Sequence, residues 1–342
     1  MKQTIDLRSD TVTVPSAEML EAMMRAVVGD DVFDEDPTVK RLQEKAATLF
    51  GKEAGLFCPS GTMTNQISIN VHTRPGEEVV CDQSAHVYLF EGGGIAFNSG
   101  CSVRLLQGDR GRFTANQLTE AINAENVHFS RTRLVTIENT ANKGGGCIWA
   151  LNEIKGIRNV CDAHGLKLHL DGARIFNALA VTEEEPQLYG SLFDSISICL
   201  SKGLGAPAGS LILGSAKFIH EAKRRRKVMG GGMRQAGFLA AAGIFALDHN
   251  VSRLEEDHAR AHKLAEAAAA LPYVVEVYPQ QTNIVVMRLD ENIPVETYLE
   301  NLEKTGVKAA GFGKQLVRFV THLDISDEML DETITTLQGI KI

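Results

Sequence analysis

Two short strings place groups of opposite charge at the ends of apolar runs. LHLDGAR carries Asp171, followed at once by Gly172, Ala173 and Arg174. SISICLSKGLGAPAG ends its apolar part in Ser201 and Lys202, then continues in glycine, alanine and proline. If both runs are strands of an open α/β sheet, the acid and the amine lie at carboxyl ends, where the ligands of such sheets gather. A lysine desolvated there and flanked by glycine can lose its proton and attack a carbonyl carbon, whereas a buried lysine kept for structure alone is rare. An exposed ion pair would use the same two residue types, so the pair needs support from elsewhere in the chain.

CPSGTMTNQ supplies it. Ser60, Gly61 and Thr62 stand where a helical pattern through Ile67, Ile69 and Val71 begins. A helix amino terminus opened by glycine and hydroxyls presents unpaired N–H groups that suit a phosphate, although the same string also makes an ordinary N-cap. His86, in SAHVY, offers a planar imidazole that could stack on an aromatic ring. Amine, carboxylate and phosphate cradle together are what pyridoxal 5'-phosphate requires, with the amine forming the Schiff base and the carboxylate facing the pyridine nitrogen. His169 alternates with Asp171 along one strand and so shares its face, which reads as packing or support rather than as a base.

The elements that must position these groups follow from periodicity. Apolar runs EVVC near 78, VRLL near 103, RLVTIE near 133, LKLHL near 166, SISIC near 195 and SLILG near 210 alternate with amphipathic segments, which reads as a mainly parallel α/β sheet. Leu20, Met23, Met24 and Val27 recur at helical spacing behind Ser16 and predict a helix with an apolar, core-facing stripe. A second helix is expected after Pro37, with Val39, Leu42, Ala46, Leu49 and Phe50 as its stripe and Gly51 ending it. Beyond the helix with Leu254, His258, Ala261 and Leu264, the strands VVEVYP, NIVVMRL and QLVRFVTH and helices around Val295 and Met329 predict an α+β region. The expected division is a large domain over residues 1–250 and a small one over 251–342.

Composition narrows the function classes. The chain has 342 residues, 44% hydrophobic, with 35 basic against 43 acidic side chains and a net charge of −8, which disfavours nucleic acid and anionic membranes as partners. Six cysteines lie far apart without metal-ligand spacing and read as reduced thiols; no metal is expected. The start MKQTIDLRSDTV lacks the apolar run of a signal peptide, and no stretch approaches a membrane span, so a cytoplasmic protein is expected. GLGAPA fits a dinucleotide fingerprint in letters but follows Lys202 and carries Pro207, outside the strand-to-helix setting that motif needs. The run KRRRK at 223–227 ends a predicted helix, where cations suit the dipole, and reads as an oligomer contact rather than a nucleic-acid patch.

Taken together, IDLRSDTVT, GDDVFDEDP, KEAGLF, PSGT, SAHVYLFE, LHLDGARIFNA, ICLSKGLGAP, GGGMRQAG and RFVTHLDIS resemble the L-threonine aldolases, fold-type I pyridoxal-phosphate enzymes, nearly from end to end. The resemblance implies a large domain with a mainly parallel seven-stranded sheet and a small α+β carboxyl-terminal domain. By position it implies Lys202 as the Schiff-base lysine, Asp171 as the partner of the pyridine nitrogen and His86 as the stacked ring. Ser60, Gly61 and Thr62 form the phosphate site, with Ser201 beside them. Ser9, Arg174 and Arg318 grip the substrate carboxylate, which suits the bidentate fork of arginine. His128 matches the histidine near the substrate β-hydroxyl, and Lys227 and Arg234 reach a neighbouring subunit's site in a homodimer or homotetramer. The implied reaction cleaves L-3-hydroxy-α-amino acids such as threonine, allo-threonine or phenylserine into glycine and an aldehyde, and runs in reverse as an aldol addition. His128 or a water near His86 is the expected base. Another reaction on the same scaffold, β-elimination or transamination, and a non-catalytic pyridoxal-binding role remain as alternatives. Two departures stand out: Phe33 and Asp34 replace an expected Tyr-Gly, and Ala141 replaces the histidine of ENTHN.

Overall fold

Apolar runs bounded by turn residues become strands in the order the periodicity predicts. The structure, a computed structural model, describes residues 4–340. Its strands are β1 (Ile5–Asp6), β2 (Ala54–Cys58), β3 (Glu78–Asp82), β4 (Ser102–Leu106), β5 (Thr132–Glu138), β6 (Lys167–Gly172), β7 (Ser195–Cys199), β8 (Ser210–Gly214), β9 (Val274–Val277), β10 (Ile284–Leu289), β11 (Val307–Lys308), β12 (Ala310–Gly313) and β13 (Leu316–Val320). One seven-stranded sheet has the order β2-β8-β7-β6-β5-β3-β4. β3 to β7 run parallel, and β8 is antiparallel to both of its neighbours. β7 and β8 are buried along their whole length, which is why both read as unbroken apolar runs rather than as alternations. The chain leaves β3 for β4 on one side and returns to β5 on the other, so the strand order reverses between β3 and β5 and opens a crevice beyond their carboxyl ends.

In the large sheet β2 is the strand that periodicity misses, and β1, β11 and β12 are missed outside it. Gly55 interrupts the β2 pattern because the backbone there passes α2 (Pro37–Leu49) so closely that a Cβ would stand 2.9 Å from the Gln43 carbonyl oxygen. The other helices that frame the site begin as expected. Ser16 accepts a hydrogen bond from Met19 N at the start of α1 (Ala17–Met24), and Ser60 accepts one from Met63 N at the start of α3 (Gly61–His72). Asp36 caps α2, and Gly51, at φ +61°, ends it.

The stripe expected on α1 meets the core only in part. Met23 is half-buried against the main core, Leu20, Met24 and Val27 are exposed, Val27 lies beyond the helix end, and Met19 is the residue of this helix that is fully buried. A period-3.6 pattern fixes which residues share a face, but not whether that face meets the core of its own chain.

A four-stranded antiparallel sheet, β12-β13-β10-β9, carries a second apolar cluster with Val285, Met287, Val317, Phe319 and the helices Leu254–Ala269 and Asp327–Gly339. Ile5 and Leu7 join that cluster because β1 pairs in parallel with β11. The amino-terminal arm thus spans from the second cluster to the end of the large sheet. All six cysteines are free and buried. Among the described residues no helix is long and apolar enough to cross a membrane.

Candidate active site

Glu138 on β5 and Asp171 on β6 are register partners, so their side chains leave the sheet on one face, two carboxylates abreast at the crevice. Asp171 accepts from Asn65 Nδ2 at 2.8 Å and from Ala173 N at 3.2 Å. Glu138 accepts from the backbone N–H of His86 and of Asn142, both at 2.9 Å. Burial and the neighbouring Asp171 charge push its carboxyl up to about 7 against those two donors. His86 opens the short turn of helix after β3 and its Nδ1 meets Glu91 Oε1 at 2.9 Å. Burial disfavours the imidazolium, but the Glu91 hydrogen bond and the charges of Asp171 and Glu138 outweigh it and hold the pKa above the ordinary histidine value.

Lys202 stands three residues after the end of β7, at the same end of the sheet, and is half-buried. Its carbonyl accepts from Gly205 N at 2.8 Å and from Thr13 Oγ1 at 3.1 Å, which ties the lysine turn to the amino-terminal arm. Gly205 adopts φ +76° with Leu323 packed against it, so a side chain there would collide. The arm places Asp10, fully buried, between cations: Arg174 Nε and Nη2 donate to its two oxygens at 2.7 and 2.6 Å. Burial opposes the Asp10 charge, yet Arg174, with Lys202 nearby, holds this carboxyl well below the usual range. Arg318, on β13, donates to Asn142 Oδ1 at 2.9 Å and to the Arg8 carbonyl at 2.8 Å, while its Nε is buried without a partner. Burial and the charge of Arg174 pull Arg318 down to about 10, with Asp10 opposing. Two guanidiniums therefore share one buried carboxylate, leaving positive charge for an anionic ligand.

At the amino end of α3, Gly61 is required because a Cβ would stand 2.6 Å from Cys199 Sγ, at the end of β7. Thr64 Oγ1 and Ser197 Oγ share a short hydrogen bond that locks this helix start onto the sheet. Gly61 and Thr62, in the first turn, have no intrahelical acceptor for their N–H groups.

The structure thus brings Ser9, Ser60, Gly61, Thr62, His86, Asp171, Arg174, Ser201, Lys202 and Arg318 to the carboxyl-end face or to the arm across it. Ser9 Oγ lies 3.4 Å from Asp10 Oδ1. His128 is a correction. It is exposed on the turn before β5, at the end of that strand opposite to Glu138, so it cannot serve the site of its own chain. A motif match fixes a residue's place in the sequence, not the end of the sheet on which it falls. Arg174 is placed as expected, but its fork is already filled by Asp10. Lys227 and Arg234 flank the glycine turn after the helix Ala216–Val228; Arg234 donates to Asp30 at 2.8 Å and lies 5.6 Å over the Phe33 ring. Asp34 adopts φ +65°, a conformation that favours glycine, and pairs with Lys223 at 3.0 Å. Ala141 is buried, facing Gly111.

Asp10, Asn65, Glu91 and Glu138 escape a reading of the sequence. Glu138 carries a usable signal, because it ends RLVTIE as Asp171 ends LHL. Asp10 has only its place beside Ser9, and nothing local marks Asn65 or Glu91.

The family profile of beta-eliminating lyases matches residues 6–292. Over 334 residues the chain is 44% identical to the low-specificity L-threonine aldolase of Escherichia coli strain K12, with 96% of each chain covered. It is 39% identical over 344 residues to low-specificity L-threonine aldolase 1 of Arabidopsis thaliana, covering 98% of this chain and 96% of that one. Among solved structures, the threonine aldolase of Leishmania major superposes with a TM-score of 0.83 at 20% identity over 98% of each chain. A serine palmitoyltransferase of Sphingomonas wittichii gives 0.76 at 13% identity, covering 98% of this chain and 86% of that one. At such identities the structural likeness speaks for the fold alone.

Proposed function

Because the chain belongs to the beta-eliminating lyase family, alongside the low-specificity L-threonine aldolases, we propose that it is a pyridoxal-phosphate-dependent aldolase cleaving L-3-hydroxy-α-amino acids into glycine and an aldehyde. Its architecture is that of the fold-type I enzymes. The observation that carries the reading is the meeting, at one sheet end, of Lys202, the Asp171 carboxylate and an excess of buried guanidinium.

The residues fit the cofactor: a strand-end carboxylate held by Asn65, an amine on the next strand, free N–H groups at the start of α3 and the His86 ring. When bound, pyridoxal phosphate supplies a carbonyl for an amino group and a conjugated ring that takes up electrons from a breaking bond at Cα. Lys202 is the amine that would hold the group. Asp171 would hold the pyridine nitrogen, and Gly61, Thr62, Ser60 and Ser201 would hold the phosphate. Arg318, whose Nε has no partner, takes the substrate carboxylate with the remaining Nη1 of Arg174 and with Ser9 beside it. That grip would orient the substrate and so select which bond at Cα is the labile one. With Nδ1 committed to Glu91, His86 Nε2 is the ring nitrogen through which a water can take the β-hydroxyl proton.

Exposed Leu20, Met24, Val27 and Phe33, together with the basic run at 223–227, support a homodimer or homotetramer in which Lys227 and Arg234 serve a neighbour's site; sedimentation of the holoenzyme tests it, and a monomer at full activity removes it. The reaction itself is tested by carbonyl detection with threonine, allo-threonine and phenylserine. Stoichiometric glycine and aldehyde are expected, with none from Lys202→Ala; ammonia with 2-oxobutyrate from threonine, or with phenylpyruvate from phenylserine, as the main products would move the assignment to β-elimination.

A further inference from the structure

Beneath the site a continuous line of buried polar groups runs the length of the sheet. Asn65 and His72 lie seven residues apart on α3, two helical turns, and so share a face. His169 and Asp171 lie two apart on β6, also on one face, and Ser195 on β7 is the register partner of His169. These spacings assemble one chain of contacts. His72 Nε2 meets Ser195 Oγ at 2.8 Å, and Ser195 Oγ meets His169 Nδ1 at 2.8 Å. His169 Nε2 meets Asn65 Oδ1 at 3.1 Å. Asn65 Nδ2 then reaches Asp171 Oδ2 at 2.8 Å and Glu91 Oε1 at 2.9 Å. Asn65, His169 and Ser195 are buried, and the His72 ring lies stacked on Phe218 with centroids 4.6 Å apart.

The direction of every hydrogen bond in this line follows from its end. Two carboxylates face Asn65 Nδ2, so both amide hydrogens are committed and Oδ1 can only accept. His169 must therefore carry its proton on Nε2. Burial keeps both imidazoles neutral, pulling His169 down to about 4 and His72 to about 3, so Nδ1 of His169 accepts the Ser195 hydroxyl hydrogen. Ser195 Oγ in turn accepts from His72, which must be protonated on Nε2 as well.

We propose that His72, Ser195, His169 and Asn65 form a one-way donor relay that locks the Asn65 amide and, through its two hydrogens, sets the positions of both acids around the cofactor ring: Asp171 and the Glu91 that tethers His86. Asn65 and His169 are positioning residues in this account. A flipped Asn65 would turn its oxygen on two carboxylates and leave His169 facing an amide hydrogen, so the two acids and the Nε2–H of His169 exclude the flip together. The inference rests on Asp171 as the partner of the cofactor ring.

Neutron diffraction of the holoenzyme, or nitrogen-15 NMR of its labelled histidines, tests the direction without reference to turnover. A hydrogen on Nε2 of both His72 and His169 is expected; one on Nδ1 of His169 overturns the relay. Replacement at His169 tests its role. His169→Gln keeps a donor for Asn65 and an acceptor for Ser195, and should stay within about threefold of the parent in kcat and cofactor affinity, whereas His169→Leu should lose roughly tenfold or more in both, the effect of one buried hydrogen bond left unmade. His169→Leu should also change the absorption of the bound cofactor while leaving substrate KM near its parent value. Equal losses in Gln and Leu would show a packing role only and sink the proposal, as would a Leu variant indistinguishable from the parent. If His169→Leu fails to fold, the proton positions in the unaltered protein decide alone. Failure of the aldolase reading is seen separately, as absent aldehyde release from a protein with both Nε2 protons in place.

Discussion

The two sides of the candidate site are built in different ways. On the ring side, Asp171, Glu138, His86, Glu91 and Asn65 crowd acidic groups onto two adjacent strands, one helix and the turn after β3, with short sequence spacings and sheet register doing the placing. On the carboxylate side, Arg174, Asp10 and Arg318 come from the end of β6, the amino-terminal arm and β13, more than a hundred residues apart, and meet where the arm is held by β1 pairing with β11, by its Leu7 carbonyl on Val320 N and by Thr13 on the Lys202 carbonyl. The ring side concentrates negative charge and raises the pKa of Glu138 and His86; the carboxylate side concentrates positive charge and lowers that of Arg318. Chemistry that moves electrons toward a protonated ring nitrogen needs the first, and a substrate anion needs the second.

The sharpest way to break this contrast is Asp171→Asn. Removing the charge opposite the ring nitrogen should lower kcat for aldehyde release by orders of magnitude with cofactor still bound; a near-normal rate would end the proposed role. Arg318→Lys acts on the other side. A point charge cannot reproduce the fork, so KM for threonine should rise about tenfold or more while cofactor binding holds, and an unchanged KM removes Arg318 from the grip.

Asp10→Asn keeps the shape but leaves Arg174 buried without its counter-charge, which breaks a buried pair and should destabilise the fold by about 3 kcal/mol or more in chemical denaturation. Asp10 also couples to pH. Its folded pKa is depressed, so its stabilisation is present above the unfolded value of 3.8 and is lost as pH falls below it.

The smallest expected effect separates the two sides by sign. Glu138 releases its proton near 4.5 when unfolded and near 7 when folded. Between those values the folded state binds more protons, so its contribution favours folding at low pH and is lost as pH rises to about 7. Glu138→Gln in the cofactor-free protein should flatten the stability profile in that window, and a parallel profile would refute the raised pKa. His169 works oppositely: its folded pKa, pulled down to about 4, makes stability fall as pH drops below 6.5.

Much of the ring side is legible in the amino-acid sequence alone. A strand-end Asp171, a strand-end Lys202 and a glycine-opened helix at Ser60 declare themselves through local pattern, because a strand's period and a helix's free N–H groups are properties of short segments. The same locality explains the succession along the chain of six strands of the large sheet and the stripe on α2. Tertiary structure alone decided what distant segments do to one another. It filled the Arg174 fork with Asp10, put His128 at the wrong end of β5 for its own chain and left Leu20, Met24 and Val27 of the α1 stripe in solvent. It also set Asn65 between two acids whose strand and turn no spacing connects. These outcomes depend on desolvation and on Coulomb interactions between groups far apart in sequence, which no window of neighbouring residues contains.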